Sequence, residues 1–160
     1  MTTILRFAQL LSLGTWVGAT LFVGFLLAPG VFATLPTREL AGSVVGMALA
    51  RLHLLGFACA AVYWTATAAS MPSRPWPGRP ADICVVLMVL VLAASHFGIT
   101  PRLADLRAQM AAAHGSIDAT PKDDGLRLSF GRLHGIANVL ELLILLLGLT
   151  ALFLTVRTHE

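Results

Sequence analysis

Phe130-Gly131-Arg132-Leu133-His134-Gly135-Ile136-Ala137-Asn138-Val139-Leu140-Glu141 leads directly into an apolar run from Leu142 to Val156. About 20 apolar residues cross the hydrocarbon of a bilayer, and this run with its entrance exceeds that length. It reads as a transmembrane helix that carries polar groups into the membrane. His134, Asn138 and Glu141 stand at i, i+4 and i+7, so a helix puts them on one face. A carboxylate in such surroundings is costly and marks a site.

Working outward, the composition agrees. The chain has 160 residues, of which 57% are hydrophobic and only 12% charged, against about 25% charged in soluble domains. With a mean hydropathy of +0.82, this is an integral membrane protein whose principal partner is the lipid bilayer. A formal charge of +3, spread between apolar runs, offers no nucleic-acid face. Cys59 and Cys84 both fall in apolar segments, where a disulfide would need matched depth and facing. The run from Phe7 to Ala28 behind Arg6 is too long for a signal-peptide core and reads as the first span.

Four spans follow, at about 5–32, 40–70, 81–113 and 126–156. The expected fold is all-α, an integral membrane four-helix bundle forming a single transmembrane domain over 1–160. Pro36-Thr37-Arg38-Glu39 is a turn and helix start, with Thr37 as N-cap. Met71 to Pro80 holds four prolines and is a connection; Tyr63, Trp64 and Trp76 beside it suit an aromatic belt. Trp16, near mid-membrane, reads as core packing. After Pro101, Arg102 to His114 is an amphipathic helix that either extends the third span through a kink or lies along the membrane surface, and Gly115 to Gly125 is a solvated loop. Gly14 with Gly18, Gly42 with Gly46 and Gly131 with Gly135 are small-xxx-small pairs that let helices approach, within the bundle or in a homo-oligomer.

Basic residues set the orientation. Arg38, Arg51, Arg102, Arg107, Lys122, Arg127 and Arg132 flank one face, against Arg6, Arg74, Arg79 and Arg157 on the other. Seven against four puts both termini outside a bacterial-type inner (plasma) membrane.

Depth sharpens the site. His53 lies two residues inside Arg51, His134 two inside Arg132, and His96 four before Thr100-Pro101. At about 1.5 Å per residue, all three histidines fall within a turn or two of the same membrane face. Four readings of this layer stand side by side. The imidazoles could serve structure alone, hydrogen-bonding across the bundle. They could ligate haem, with His53 and His134 as the preferred axial pair and His96 in the same layer. They could hold a metal ion, using His53, His96 and His134 with or without Glu141, although no tight HxxxH or CxxC pair points that way. Or His134, Asn138 and Glu141, with Arg51 reaching toward the carboxylate, form a polar track that relays protons or lines a solute path. No catalytic residue stands out, since neither cysteine lies near the layer; an enzyme here would be a membrane-embedded oxidoreductase.

Trp16-Val17-Gly18, Ala28-Pro29, Phe32, Leu35-Pro36, Ala41-Gly42 and Gly46, with Phe130, Leu133-His134 and Asn138 late in the chain, resemble the transmembrane-protein-205-like family of small four-span proteins. The pattern is more distantly similar to copper-resistance-D-like and haem-binding four-helix membrane proteins. The resemblance implies architecture. Those distant relatives place a histidine in the first span, where this chain has Gln9, so no ligand is carried over. The functional expectation is a small polytopic membrane protein with a buried His/Asn/Glu site in the inner half of the bundle, binding haem or a metal ion or relaying protons. The alternative is an accessory subunit packed into a larger membrane complex, with no chemistry of its own.

Overall fold

The computed structural model describes residues 2–70 and 78–157; Trp76 and most of the proline-rich connection lie outside them. Four long helices, α1 (Thr3–Thr34), α2 (Arg38–Ser70), α3 (Pro80–His114) and α4 (Gly125–Arg157), are each long and apolar enough to cross a membrane. No strand occurs among the described residues. Large side chains such as Phe7, Leu54, Leu90, Val139 and Phe153 are exposed, as a lipid-facing surface requires. The chain is a small four-helix membrane protein.

Capping chemistry fixes the ends. Thr37 Oγ1 accepts the Leu40 N–H at 3.2 Å and starts α2. Gly115, at φ 81°, closes α3 in the left-handed region, its N–H on the Ala111 carbonyl at 2.8 Å. Asp124 Oδ1 accepts the Leu126 N–H at 2.7 Å and starts α4. The connection between α3 and α4 is more than a solvated loop: Ile117 and Thr120 are buried, and the Arg127 guanidinium donates to both their carbonyls. The Asp118 carboxylate accepts the Glu39 N–H at 3.3 Å, joining this connection to the start of α2 at one end of the bundle.

Two helices widen locally. α1 has a π-helical turn at Phe22–Leu27 and α3 another at Ala94–Ile99. Each is followed two residues later by a proline, Pro29 or Pro101. Proline has no N–H and its ring crowds the carbonyl four residues back, and here an extra residue absorbed in the preceding turn accommodates it. The chain therefore runs on through Pro101 instead of breaking there.

α1 packs against α2 and α4, and α3 against α4. The core holds Leu13 and Trp16 from α1, Cys59, Ala60 and Tyr63 from α2, Val85, Met88 and Leu92 from α3, and Ile144 and Ala151 from α4. Lipid tails are as apolar as these side chains, so close fit and polar contacts bind the helices. The tightest approaches are at two glycines. A Cβ on Gly56 would lie 2.8 Å from the Trp16 ring, and one on Gly148 would lie 2.7 Å from Val17 Cγ2. Gly42 meets the Arg107 guanidinium, whereas a Cβ on Gly14, Gly18, Gly46, Gly131 or Gly135 would meet nothing within 4 Å.

A buried polar layer locks the end where α1 begins and α4 finishes. The Asp82 carboxylate accepts from the Arg79 guanidinium at 3.0 Å, the Arg79 N–H at 3.1 Å and the Tyr63 hydroxyl at 2.9 Å. Arg79 also donates to Thr67 Oγ1 at 3.2 Å, and the Gln9 amide donates to the same hydroxyl at 2.9 Å. Gln9, Tyr63, Thr67, Arg79 and Asp82 are all buried. Tyr63 is thus no belt aromatic, because its hydroxyl is consumed inside the bundle, and Arg79 is a paired internal charge instead of a free flanking one.

Candidate functional site

α2, α3 and α4 each send one titratable side chain to a common point. His53 Nε2 lies 2.7 Å from Glu141 Oε1, and His53 Nδ1 lies 3.3 Å from His96 Nδ1. His53 is 2% exposed, and the Glu141 side chain 19%. The two imidazoles meet edge to face with centroids 5.5 Å apart, and the Phe57 ring also meets His96 edge to face, with centroids 6.0 Å apart. The π-helical turn before Pro101 contains Ser95 and His96, so the widened turn sets the direction in which His96 leaves α3.

The chain Glu141–His53–His96 can hold a proton in more than one arrangement. With Glu141 ionised, His53 Nε2–H donates to it, and a neutral His53 then accepts at Nδ1 from His96. A doubly protonated His53 donates at both nitrogens instead, and His96 becomes the acceptor. Shifting one proton through His53 reverses the His53–His96 bond without moving a heavy atom.

Glu141 also faces a cavity of about 440 Å³ between α1, α2 and α4, to which α2 contributes Val45, Leu49 and Leu52. His134 and Asn138 line it with Glu141, as their shared helical face implies. The opposite wall comes from the other π-helical turn, through Val23, Gly24 and Phe25. Both departures from regular helix therefore border the same site, one shaping its cavity and the other aiming its outer histidine.

The histidine layer is only partly assembled. His53 and His96 meet, while His134 is exposed toward the cavity with its ring stacked on Phe130 at 6.0 Å. Arg51 is exposed, and Glu141 takes His53 as its partner. Both ring nitrogens of His53 are engaged, which leaves neither for axial ligation in this arrangement. Among the described residues no group of three His, Cys, Asp or Glu side chains is arranged to hold a metal ion.

Beyond Glu141 the bundle closes. Gly56 brings Trp16 and Leu92 together one turn past His53 on α2, and Ile144 is buried one turn past Glu141 on α4. This apolar plug separates the site from the Arg79–Asp82 layer.

The chain belongs to the family described as a domain of unknown function (DUF4149), whose match covers residues 11–112. No curated protein and no solved structure matches the chain. His53 and His96 fall inside the DUF4149 match, whereas His134, Asn138 and Glu141 lie beyond its end. The site is completed by a helix outside the matched region.

Proposed function

We propose that this DUF4149 protein carries a proton-exchanging site inside the membrane, formed by Glu141, His53 and His96. The observation that carries this reading is the placement of His53, buried and bridging a carboxylate on one nitrogen and a second imidazole on the other. An unpartnered carboxylate in an apolar bundle is costly, and an imidazole at 2.7 Å supplies the proton that offsets it. The half-buried His96 gives that proton a way out. The apolar plug beyond Glu141 argues for a site open on one side, where protons are taken up and released to the same end, over a continuous conduit.

On the count of basic residues, we assign the end bearing Pro36 and the 115–124 connection to the cytoplasmic face of a plasma membrane. Both termini then lie outside. The resemblance to transmembrane-protein-205-like proteins supports the four-span architecture and is silent on chemistry.

Infrared difference spectroscopy of the protein in lipid, on a pH step, tests the site. The expected result is a carboxyl band absent from Glu141→Gln and displaced in His53→Gln. A spectrum unchanged in both variants overturns the proposal. The haem reading has its own readout, a Soret band in protein purified from haem-replete cells and lost in His53→Ala. Such a band would replace the proton-site reading, since His53 cannot serve both partners.

A further inference from the structure

The cavity beside Glu141 has a mouth, a floor and a charge that together select a ligand class. Phe25, Phe32 and Leu142 on its wall are 64%, 47% and 50% exposed on the apolar outer surface, so the mouth opens sideways to the bilayer. Its deepest lining is mostly apolar, with Val23, Leu52 and Leu145 buried, and Glu141, Asn138 and His134 form a polar strip along its α4 side, Asn138 and His134 at the exposed part. Among the described residues Glu141 is the one acidic member of the lining, and no lysine or arginine contributes to it. A volume near 440 Å³ is that of a pocket for a drug-sized organic molecule. Apolar walls disfavour a hydrated inorganic ion, while the faces of Phe25 and Phe32 suit an organic cation.

We propose that this cavity binds lipophilic organic cations arriving from the membrane, and that each bound cation displaces one proton from the His53–Glu141 pair. This rests on the proton-site reading above. The charge balance is simple: an ionised Glu141 with a protonated His53 is neutral as a unit, and losing one proton leaves a net negative charge in a low-dielectric site. A cation beside Glu141 restores neutrality, and the released proton leaves through His53 Nδ1 to His96 Nδ1. The titratable groups that face the His53–Glu141 pair are His96 from α3 and His134 from α4; among the described residues α1 contributes none. Arg51 is exposed two residues before His53, and Arg107 is engaged over the Phe130 ring at 5.8 Å.

Tetraphenylphosphonium, a permanent cation without a titratable proton, is the probe. Calorimetry on the full chain in lipid nanodiscs, repeated in buffers of different ionisation enthalpy, should give saturable binding with about one proton released per cation. Apparent affinity should then rise about tenfold per pH unit over the range in which the pair holds its proton. Glu141→Gln should lose both binding and proton release. Gly24 lines the cavity and a Cβ there meets nothing within 4 Å, so Gly24→Leu fills the space while sparing the His53–Glu141 pair. That variant should lose binding at least tenfold yet keep the Glu141 infrared band. Equal binding of neutral triphenylphosphine oxide, or full binding by Gly24→Leu, overturns the proposal. A titrating Glu141 band without saturable cation binding sinks this inference and leaves the proton site standing; absence of the band removes both.

Discussion

Replacing Asp82 by alanine tests whether the buried polar layer where α1 begins and α4 finishes holds the bundle together. The Arg79 and Asp82 side chains are 5% and 3% exposed, so the substitution strands a guanidinium that has lost its counter-ion. Removing one partner of a buried pair costs about 3–5 kcal/mol. The Tyr63 hydroxyl loses its acceptor as well, a further penalty of roughly 1–3 kcal/mol taken alone. These groups share one network and their costs do not add, which leaves an expected loss of about 4 kcal/mol. For a chain of this size that is a fall in midpoint on the order of 10 °C. Arg79→Met/Asp82→Leu removes both charges together and should recover most of the loss, because an apolar pair of similar volume is often neutral or better. Thermal and denaturant unfolding in mild detergent, followed by helical circular dichroism, measures all three proteins. A loss below about 1 kcal/mol for Asp82→Ala would refute the reasoning. So would a double variant no more stable than Asp82→Ala.

Gly56→Ala should destabilise by about 1–3 kcal/mol, since the new Cβ meets the rigid Trp16 ring; Gly46→Ala, with open space around it, should be neutral or gain up to about 1 kcal/mol of helix propensity, both read by the same unfolding assay. Pro101→Ala should let the turn at Ala94–Ile99 tighten to regular helix, turning His96 by up to about 100° away from His53, visible as altered histidine nitrogen resonances. The Asp124 carboxyl is held below the ordinary carboxylate range, chiefly by the Leu126 N–H and also by His114. A lowered folded-state value means stability present above the unfolded value and lost as pH falls through the folded one. Amide exchange around the start of α4 should therefore accelerate below about pH 4 in the native chain, and Asp124→Ala should exchange fast without that acid dependence.

Fold class was legible because apolar runs, prolines and caps each act locally. Thr37 caps α2 through its own hydroxyl, and the four apolar runs need no partner to declare their length. The site was legible only in part. His134, Asn138 and Glu141 share a helical face at fixed spacing, and they do line one cavity. The meeting of Glu141 with His53 is not readable from depth, because in the sequence both His53 and His134 lie two residues inside an arginine. Arg132 belongs to a stretch of α4 that runs past Phe130 and Arg107, so the two arginines do not mark one level; His53 meets a residue seven positions, roughly 10 Å, farther along than His134. Arg79 and Tyr63 were misplaced for a related reason. A residue beside a loop reads as interfacial, and only the three-residue step to Asp82 and the four-residue step from Tyr63 to Thr67 hint at an internal network.

The contrast between the two polar clusters is what separates scaffold from site. Around Arg79 the strong donors and acceptors of Gln9, Tyr63, Thr67 and Asp82 are spent on one another, and a fully satisfied network rigidifies. Around His53 the same kind of chemistry is left with capacity to spare. His134 and Asn138 turn into a cavity where no hydrogen bond from either is found among the described residues, and Glu141 has committed one oxygen to His53. The Glu141 side chain is only 19% exposed, and polar capacity left unused at that depth in an apolar bundle costs free energy. The plug of Trp16, Leu92 and Ile144 shields the scaffold cluster from that open cavity, so proton exchange on one side can proceed without loosening the charge pair that closes the other.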